Sequence, residues 1–218
     1  LSTSWLVTIG GMAGIRDPEA TKARIFEAAT AEFAQYGIAG ARVDRIARNA
    51  KANKQLIYAY FGDKEKLFHQ VLEKTMLTVA GSVTTDIEDL DTWIDQHIDY
   101  HREHPELLRL LQWEALELGR DHASAGELRC GRYLEKRAKI EVAQGKGLLR
   151  ADMPSGQVLM LLMSMINYPL AVPQVNAFTL GVAADPEEQR AWIKDAIRRI
   201  VEPASETATV APAAGTGA

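Results

Sequence analysis

Cysteine is nearly absent: Cys130 stands alone in 218 residues, and one thiol closes no disulfide within a chain. That excludes a disulfide-stapled scaffold and suits a reducing, cytoplasmic setting, with Cys130 read as a small buried or half-buried hydrophobe. Long apolar runs are missing too. The richest stretch, Ser155 to Ala171, is interrupted by Asn167 and Pro169 and is shorter than the roughly 20 apolar residues a membrane span requires, so no membrane partner is expected. Leu1 to Arg16 lacks the charged start and apolar middle of a signal peptide. Catalytic signatures are equally scarce: there is no Gly-x-Ser-x-Gly, no phosphate-binding loop, no Gly-x-Gly-x-x-Gly after a strand and no Cys–His pairing at useful spacing. Neither an enzyme nor a bound cofactor is therefore expected. The chain also has no overall excess of cations. Its formal net charge of −4 argues against indiscriminate binding of polyanions and favours contact through one face.

What is present is a local exception to that charge. Between Arg42 and Lys66 stand Arg42, Arg45, Arg48, Lys51, Lys54, Lys64 and Lys66 against Asp44, Asp63 and Glu65, a net of +4. Such a patch suits phosphates, although charges on short helices also serve simply as a solvated surface. The grammar of the stretch is more specific. Val43, Ile46, Ala47 and Ala50 recur at helical steps, predicting one short helix over about Val43 to Asn49. The polar Lys51-Ala52-Asn53 breaks the pattern, and Asn53 is a good N-cap for a second helix to about Tyr60. Two short helices across a tight turn predict a helix-turn-helix. In the second helix Ile57 and Phe61 point inward, which turns Lys54, Gln55, Tyr58 and Ala59 outward.

Ahead of this unit, Asp17-Pro18-Glu19 is a helix start, with Asp as cap, Pro at the first position and Glu in the positive first turn. Ile25, Ala28 or Ala29, Phe33 and Tyr36 then form a stripe that Gly37 ends.

The segment from about Ala23 to Phe68, about a fifth of the chain, resembles the DNA-binding region of the TetR family of bacterial transcriptional regulators. The resemblance rests on Phe33-x-x-Tyr36-Gly37, then Val43-x-x-Ile46-Ala47, then Leu56-Ile57-Tyr58-x-Tyr60-Phe61-x-x-Lys64-x-x-Leu67. The chain departs from the family's habit at Ala41, where Thr is frequent, at Lys51-Ala52-Asn53, where Gly-Val-Ser is, and at Gln55-Leu56, where Gly-Thr is. Arg42 and Asn53 are candidates to supply the capping or phosphate interaction that a Thr at position 41 would make. The resemblance implies that Tyr58, Tyr60 and Lys64 hold phosphates and that Asn53, Lys54 and Gln55 lie nearest the bases of a double-stranded operator. Chemistry agrees, since a Gln amide pairs bidentately with adenine, whereas a phenol or an ammonium on a phosphate positions without reading. For Tyr60 the alternative is a ring packed in the small domain's core.

The expected fold is all-α: a flexible arm over 1–16, a three-helix helix-turn-helix DNA-binding domain over 17–62, a larger helical ligand-binding and dimerisation domain over 63–203, and a disordered tail over 204–218. No Met opens the chain, and Met12 is a candidate natural start. From Asp63 a helix through Leu67, Phe68, Val71, Leu72, Met76 and Val79 links the reader to the remainder and is the candidate lever between domains. Asp91 opens a helix with Trp93, Ile94 and Ile98 inward. His104-Pro105 restarts the chain into a largely buried Leu-rich helix, and Ser124 with Glu127 predicts a capping box before a helix from Gly126 to Gln144. Ser155 to Ala171 is apolar nearly all round, so it is either a central core helix or is covered by a second copy of the chain. With the last helix, opened by Asp185-Pro186, it gives Leu159, Leu162, Ile166, Trp192, Ile193, Ile197 and Ile200 as candidate residues of a homodimer interface, an arrangement the resemblance also implies. Packing within one chain is the alternative.

The resemblance further implies a cavity for a small-molecule effector. Tyr100, Trp113, Met160, Met163, Asn167, Tyr168 and Phe178 are its candidates, because aromatics and Met beside one amide make an adaptable apolar site. His97, His101 and His104 would share one helical face and could ligate a metal, although a polar flank is the plainer reading and no metal is expected. A helical adaptor that meets acidic proteins is the remaining rival. The expected function is a ligand-responsive, homodimeric DNA-binding regulator, a repressor by resemblance, released by a small hydrophobic effector.

Overall fold

The computed structural model describes residues 17–119, 122–124, 126–180 and 185–203. The expected arm and tail lie outside the described residues. All regular structure within them is helical, in ten elements that fall into two compact units divided between Val71 and Leu72.

The first unit begins with α1 (Pro18–Gly40), whose first turn is closed by Asp17 Oδ1 accepting from Glu19 N at 2.9 Å. Gly37, at φ 69° and ψ −172°, kinks its end in a conformation that favours glycine. Helix α2 (Val43–Asn49) has no side-chain cap of its own from Arg42. The buried Glu32 of α1 takes that role, accepting from the Arg42 N–H at 2.7 Å and pairing with the Arg45 guanidinium at 2.6 Å. Arg24 closes the other end through Nε to the Ala50 carbonyl at 3.2 Å. Helix α3 (Lys54–Phe61) starts at Asn53, whose side chain accepts from Gln55 N at 2.9 Å, and stops at Gly62, φ 82°. Helix α4 (Lys64–Ser82) is capped by Asp63 Oδ1 accepting from Lys66 N at 2.8 Å.

Ile25, Phe33, Ile46, Ile57, Leu67 and Phe68 are fully buried. The Phe33 and Phe68 rings meet edge to face at 5.3 Å, and Phe26 meets Phe61 at 5.0 Å. Each such side chain contributes about 1.5–3 kcal/mol on leaving water. Because Leu67 and Phe68 belong to this core, the first unit ends inside α4 and not at the turn before it, where sequence punctuation places the boundary.

The second unit comprises the remainder of α4 with α5 (Leu90–Glu103), α6 (Glu106–Glu117), α7 (Gly126–Gly145), α8 (Ser155–Ala171), α9 (Pro173–Leu180) and α10 (Pro186–Val201). Its core joins Trp93, Ile94 and Ile98 of α5, Ile140 and Ala143 of α7, Val158, Leu159, Leu162 and Ile166 of α8, and Ile193, Ile197 and Val201 of α10. Three expectations change here. Five of the candidate interface residues, Leu159, Leu162, Ile166, Ile193 and Ile197, are buried in the chain's own core and cannot meet a second copy. Ile200 is partly buried against that core, and Trp192 alone of the set is exposed, at 57%. Cys130, expected inside, is exposed on α7. The eight-residue α9 has no counterpart in the periodicity of the sequence because none of its residues is buried and it presents no apolar stripe.

Helices α5 and α10 are also joined by a ladder of charges repeating every four residues. Arg190 meets Asp99 and, at 3.3 Å, Asp95; Lys194 meets Asp95 at 2.7 Å; Arg198 meets Asp91. Among the described residues no single helix is long and apolar enough to cross a membrane, and α8 and α9 meet at a bend of 88°.

Candidate nucleic-acid interface and ligand cavity

Helix α3 is anchored by Ile57 and Phe61, and that anchoring turns Lys54, Gln55, Tyr58 and Ala59 to solvent as the four-residue spacing predicts. Their environments differ. Gln55 is exposed, with its amide making no hydrogen bond among the described residues, and the exposed Tyr58 lies one turn further along the helix. Lys54 is tethered to Asp44 of α2 at 2.8 Å, an exposed pair that adds little to stability but ties the first residue of α3 to α2. Asn53 commits its side-chain oxygen to the cap and so positions α3. Tyr60 is half-buried, edge-on to Phe61 at 6.1 Å, with the Lys22 ammonium 5.4 Å from its ring centre. Lys64 donates from Nζ to the carbonyls of Ala39 and Ala41, both at 3.2 Å, so in the free protein it ties the end of α1 to the start of α4.

The basic patch is thus only partly free. Arg45 is held by Glu32 and stacks 4.1 Å above the Tyr36 ring, and Lys66 pairs with Asp63 at 3.3 Å. The guanidiniums of Arg42 and Arg48 and the ammonium of Lys51 are exposed, and none has an ion-pair partner among the described residues. Lys22 is a cation beside the patch that sequence reasoning misses, because it belongs to α1 and lies outside the charged run. Glu32 is missed as well: a single Glu in a helix carries no signal that it will be buried as the brace of its neighbour.

A cavity of about 980 Å³ lies in the second unit. Met76 and Val79 of α4, Val83 just beyond its end, Leu107 and Leu111 of α6, and Leu159, Met160 and Met163 of α8 supply its apolar wall. Its polar side is made by His97 and His101 of α5, Arg132 and Lys136 of α7, and Asn167 of α8. Of the candidate ligand residues, Met160, Met163 and Asn167 line it. Tyr100, Trp113, Tyr168 and Phe178 do not: Tyr100 is buried with its ring 4.6 Å from that of His104, Trp113 is half-buried, and Tyr168 and Phe178 face solvent, Phe178 at 87% exposure.

His97 Nδ1 lies 2.7 Å from the Trp93 carbonyl, so that nitrogen carries the proton and Nε2 is left as a bare acceptor. Burial, with Lys136 nearby, pushes the imidazoles down to about 3 for His97 and about 4 for His101. His104 leaves this face and sits 3.3 Å from Glu106. The three histidines do not converge, and the described residues hold no cluster of metal-ligating side chains.

Residues 25–71 match the family described as "Bacterial regulatory proteins, tetR family", and residues 89–199 match "Tetracyclin repressor-like, C-terminal domain". The chain belongs to the TetR family. Among its relatives, the HTH-type transcriptional repressor SCO4008 of Streptomyces coelicolor is 51% identical over 86% of this chain and 98% of that protein. The repressor NicS of Pseudomonas putida is 30% identical over 83% of this chain and 91% of its own length. The crystal structure of SCO4942 from Streptomyces coelicolor superposes with a TM-score of 0.73 at 31% identity, covering 83% of this chain and 98% of that one. This TetR-family protein is a DNA-binding transcriptional regulator and not an enzyme, with α2 and α3 as its helix-turn-helix. Position 51 illustrates its departure from the family pattern: Lys51 takes φ 51° in the turn, where the family's frequent glycine would rest without strain.

Proposed function

We propose that this regulator is a homodimeric repressor whose α3 helices read the two halves of a palindromic operator, and that occupation of the cavity in the second unit lowers its affinity for DNA. The observation that carries the reading is the outer face of α3. Gln55 and Tyr58 stand free on a helix fixed from below by Ile57 and Phe61, next to the unpaired Arg42, Arg48 and Lys51. An unpaired amide suits a base edge, and a phenol beside loose cations suits phosphates. Lys64 acts first as the strut between α1 and α4, and Tyr60 as part of the wall against Lys22; any phosphate contact they make is added to those roles.

A dimer is supported by what the fold leaves uncovered. Met160 and Tyr168 on α8, Phe178 on α9 and Trp192 on α10 are large apolar side chains facing solvent, and the two-fold arrangement would place readers about one DNA turn, roughly 34 Å, apart. Helix α4 supports the coupling: it supplies Leu67 and Phe68 to the core of the first unit and Met76 and Val79 to the cavity wall of the second. A ligand that favours one position of that wall shifts the protein toward it, and DNA reciprocally weakens the ligand.

The test is fluorescence anisotropy with the duplex upstream of the protein's own gene, over a salt series, for wild type, Tyr58→Phe and Gln55→Ala. Tyr58→Phe weakens binding to all sequences alike, and Gln55→Ala relaxes discrimination between operator and scrambled duplex by about 1–3 kcal/mol. Unchanged discrimination in Gln55→Ala would remove α3 as the reader.

A further inference from the structure

The cavity's polar side is unmatched within the protein. Lys136 and Arg132 are four residues apart on one face of α7, both line the cavity, and neither has an ion-pair partner among the described residues. Arg132 Nε is buried without an acceptor. Opposite them stand His97 and His101, both at least nine-tenths buried, with His97 Nε2 and both nitrogens of His101 unpartnered, and Asn167 Oδ1 is unpartnered as well. The neighbouring Arg129 differs, since its guanidinium is matched by the buried Glu114 at 2.6 Å. Glu127 and Glu135 also border the cavity, but both are exposed and neither pairs with Lys136 or Arg132. Cations drawn out of water without a counter-charge are costly, and a ligand that supplies the charge recovers that cost on binding.

We propose that the cavity takes a ligand with an apolar body and an anionic oxygen headgroup, the headgroup held by Lys136 and Arg132 and a hydroxyl or amide donor beside it met by His97 and Asn167. This rests on reading the cavity as the effector site. The apolar walls of α4, α6 and α8 take the body, with Met76, Met160 and Met163 adjusting to its outline. His97 fits the assignment: its proton is committed to the Trp93 carbonyl, so towards the ligand it can only accept. Burial, and then the neighbouring Arg132 charge, push the Lys136 ammonium below its ordinary range, and the exposed Glu135 only partly opposes them. A cationic ligand would face this pair directly and would find carboxylates only among exposed side chains.

The experiment is calorimetric titration of the full-length protein with 2-naphthoate, 2-naphthamide and 2-naphthylmethylamine, three probes of one shape and different charge. Naphthoate is expected to bind about tenfold or more tightly than the amine, as a charge-assisted contact gives. Lys136→Met and Arg132→Gln each reduce that preference, leave naphthamide within about twofold, and keep the thermal midpoint, since each removes an unmatched cation. Equal or tighter binding of the amine overturns the assignment. So does a preference for naphthoate that survives in both variants. If none of the three binds, the cavity fails as an effector site and the proposal fails with it, while operator binding measured on the same sample stands or falls separately.

Discussion

His97 and His101 lie one turn apart on α5 with both rings buried, and each contributes a loss of stability in acid. In the unfolded chain an imidazole protonates near 6.5, whereas burial first, and then the Lys136 charge, hold His97 at about 3 and His101 at about 4 in the folded state. His101 also acts on His97, and His104, at the C-cap of α5, acts on His101. Because the folded values are depressed, the unfolded chain takes up these protons first. The contribution is therefore complete above pH 6.5 and is lost as pH falls toward 4, at up to about 1.4 kcal/mol per pH unit for each imidazole. Urea unfolding at pH 7.5 and 5 is expected to show that loss, and His101→Leu to reduce it; an identical pH dependence in the variant would contradict it. Lys51 is the other residue whose conformation decides something. At φ 51° a side chain is strained, so Lys51→Gly is expected to stabilise by about 0.5–1 kcal/mol and Lys51→Ala to change little, read as shifts in the urea midpoint. Residue roles are the least legible in sequence. The Asn53 cap of α3 is legible in the sequence, but no pattern says that the cap takes the side-chain oxygen which the resemblance sets nearest the bases, while Gln55 stays exposed. For Lys64 the resemblance implies a phosphate ligand, and no sequence pattern reveals that the carbonyls of Ala39 and Ala41 also take its ammonium.

Helices carry their signal in proportion to their apolar stripe. The helix-turn-helix pair and α8 begin and end within a residue of where the periodicity puts them, since each has a buried face, a cap or a glycine to mark it. Helix α9 presents none of these except a proline at its start, and the sequence pattern does not disclose it. Helix α5 is capped two residues ahead of Asp91, by Asp89 accepting from Thr92 N at 3.1 Å. Periodicity also hides the partner of its charged face. Asp91, Asp95 and Asp99 read as a solvated stripe, and only the tertiary fold sets Arg190, Lys194 and Arg198 against them. Burial raises the Asp95 carboxyl, but hydrogen bonds from Lys194 and Arg190 outweigh it and hold the group below its ordinary value. Its stabilising contribution is thus present above the usual carboxylate range and is lost as pH drops through it. Asp95→Asn is expected to cost about 1 kcal/mol in low salt and less at 1 M salt, where screening shortens to about 3 Å. A thermal midpoint unaffected by the substitution would show that the ladder is merely adjacent charge.

For the molecule as a whole, two helical units in order, the reader first, are legible in sequence because caps, glycines and the TetR-like motif are local. The surfaces that assemble the molecule are not local. An apolar helix such as α8 reads the same whether its own chain or a second copy covers it, and the fold resolves the question by burying Leu162 and Ile166 while leaving Met160 and Tyr168 outside. A two-fold contact is therefore expected on those exposed residues with Trp192, and is what would turn one short helix into a selective reader. The most direct measurement is selection of binding sites by the purified protein from a pool of random duplexes, with Gln55→Ala in parallel. Enrichment of one motif is expected, two inverted half-sites about one helical turn apart, with positions in each half losing definition in the variant. Retention of duplexes with no shared motif, or one unaltered by Gln55→Ala, would contradict a paired α3 reader.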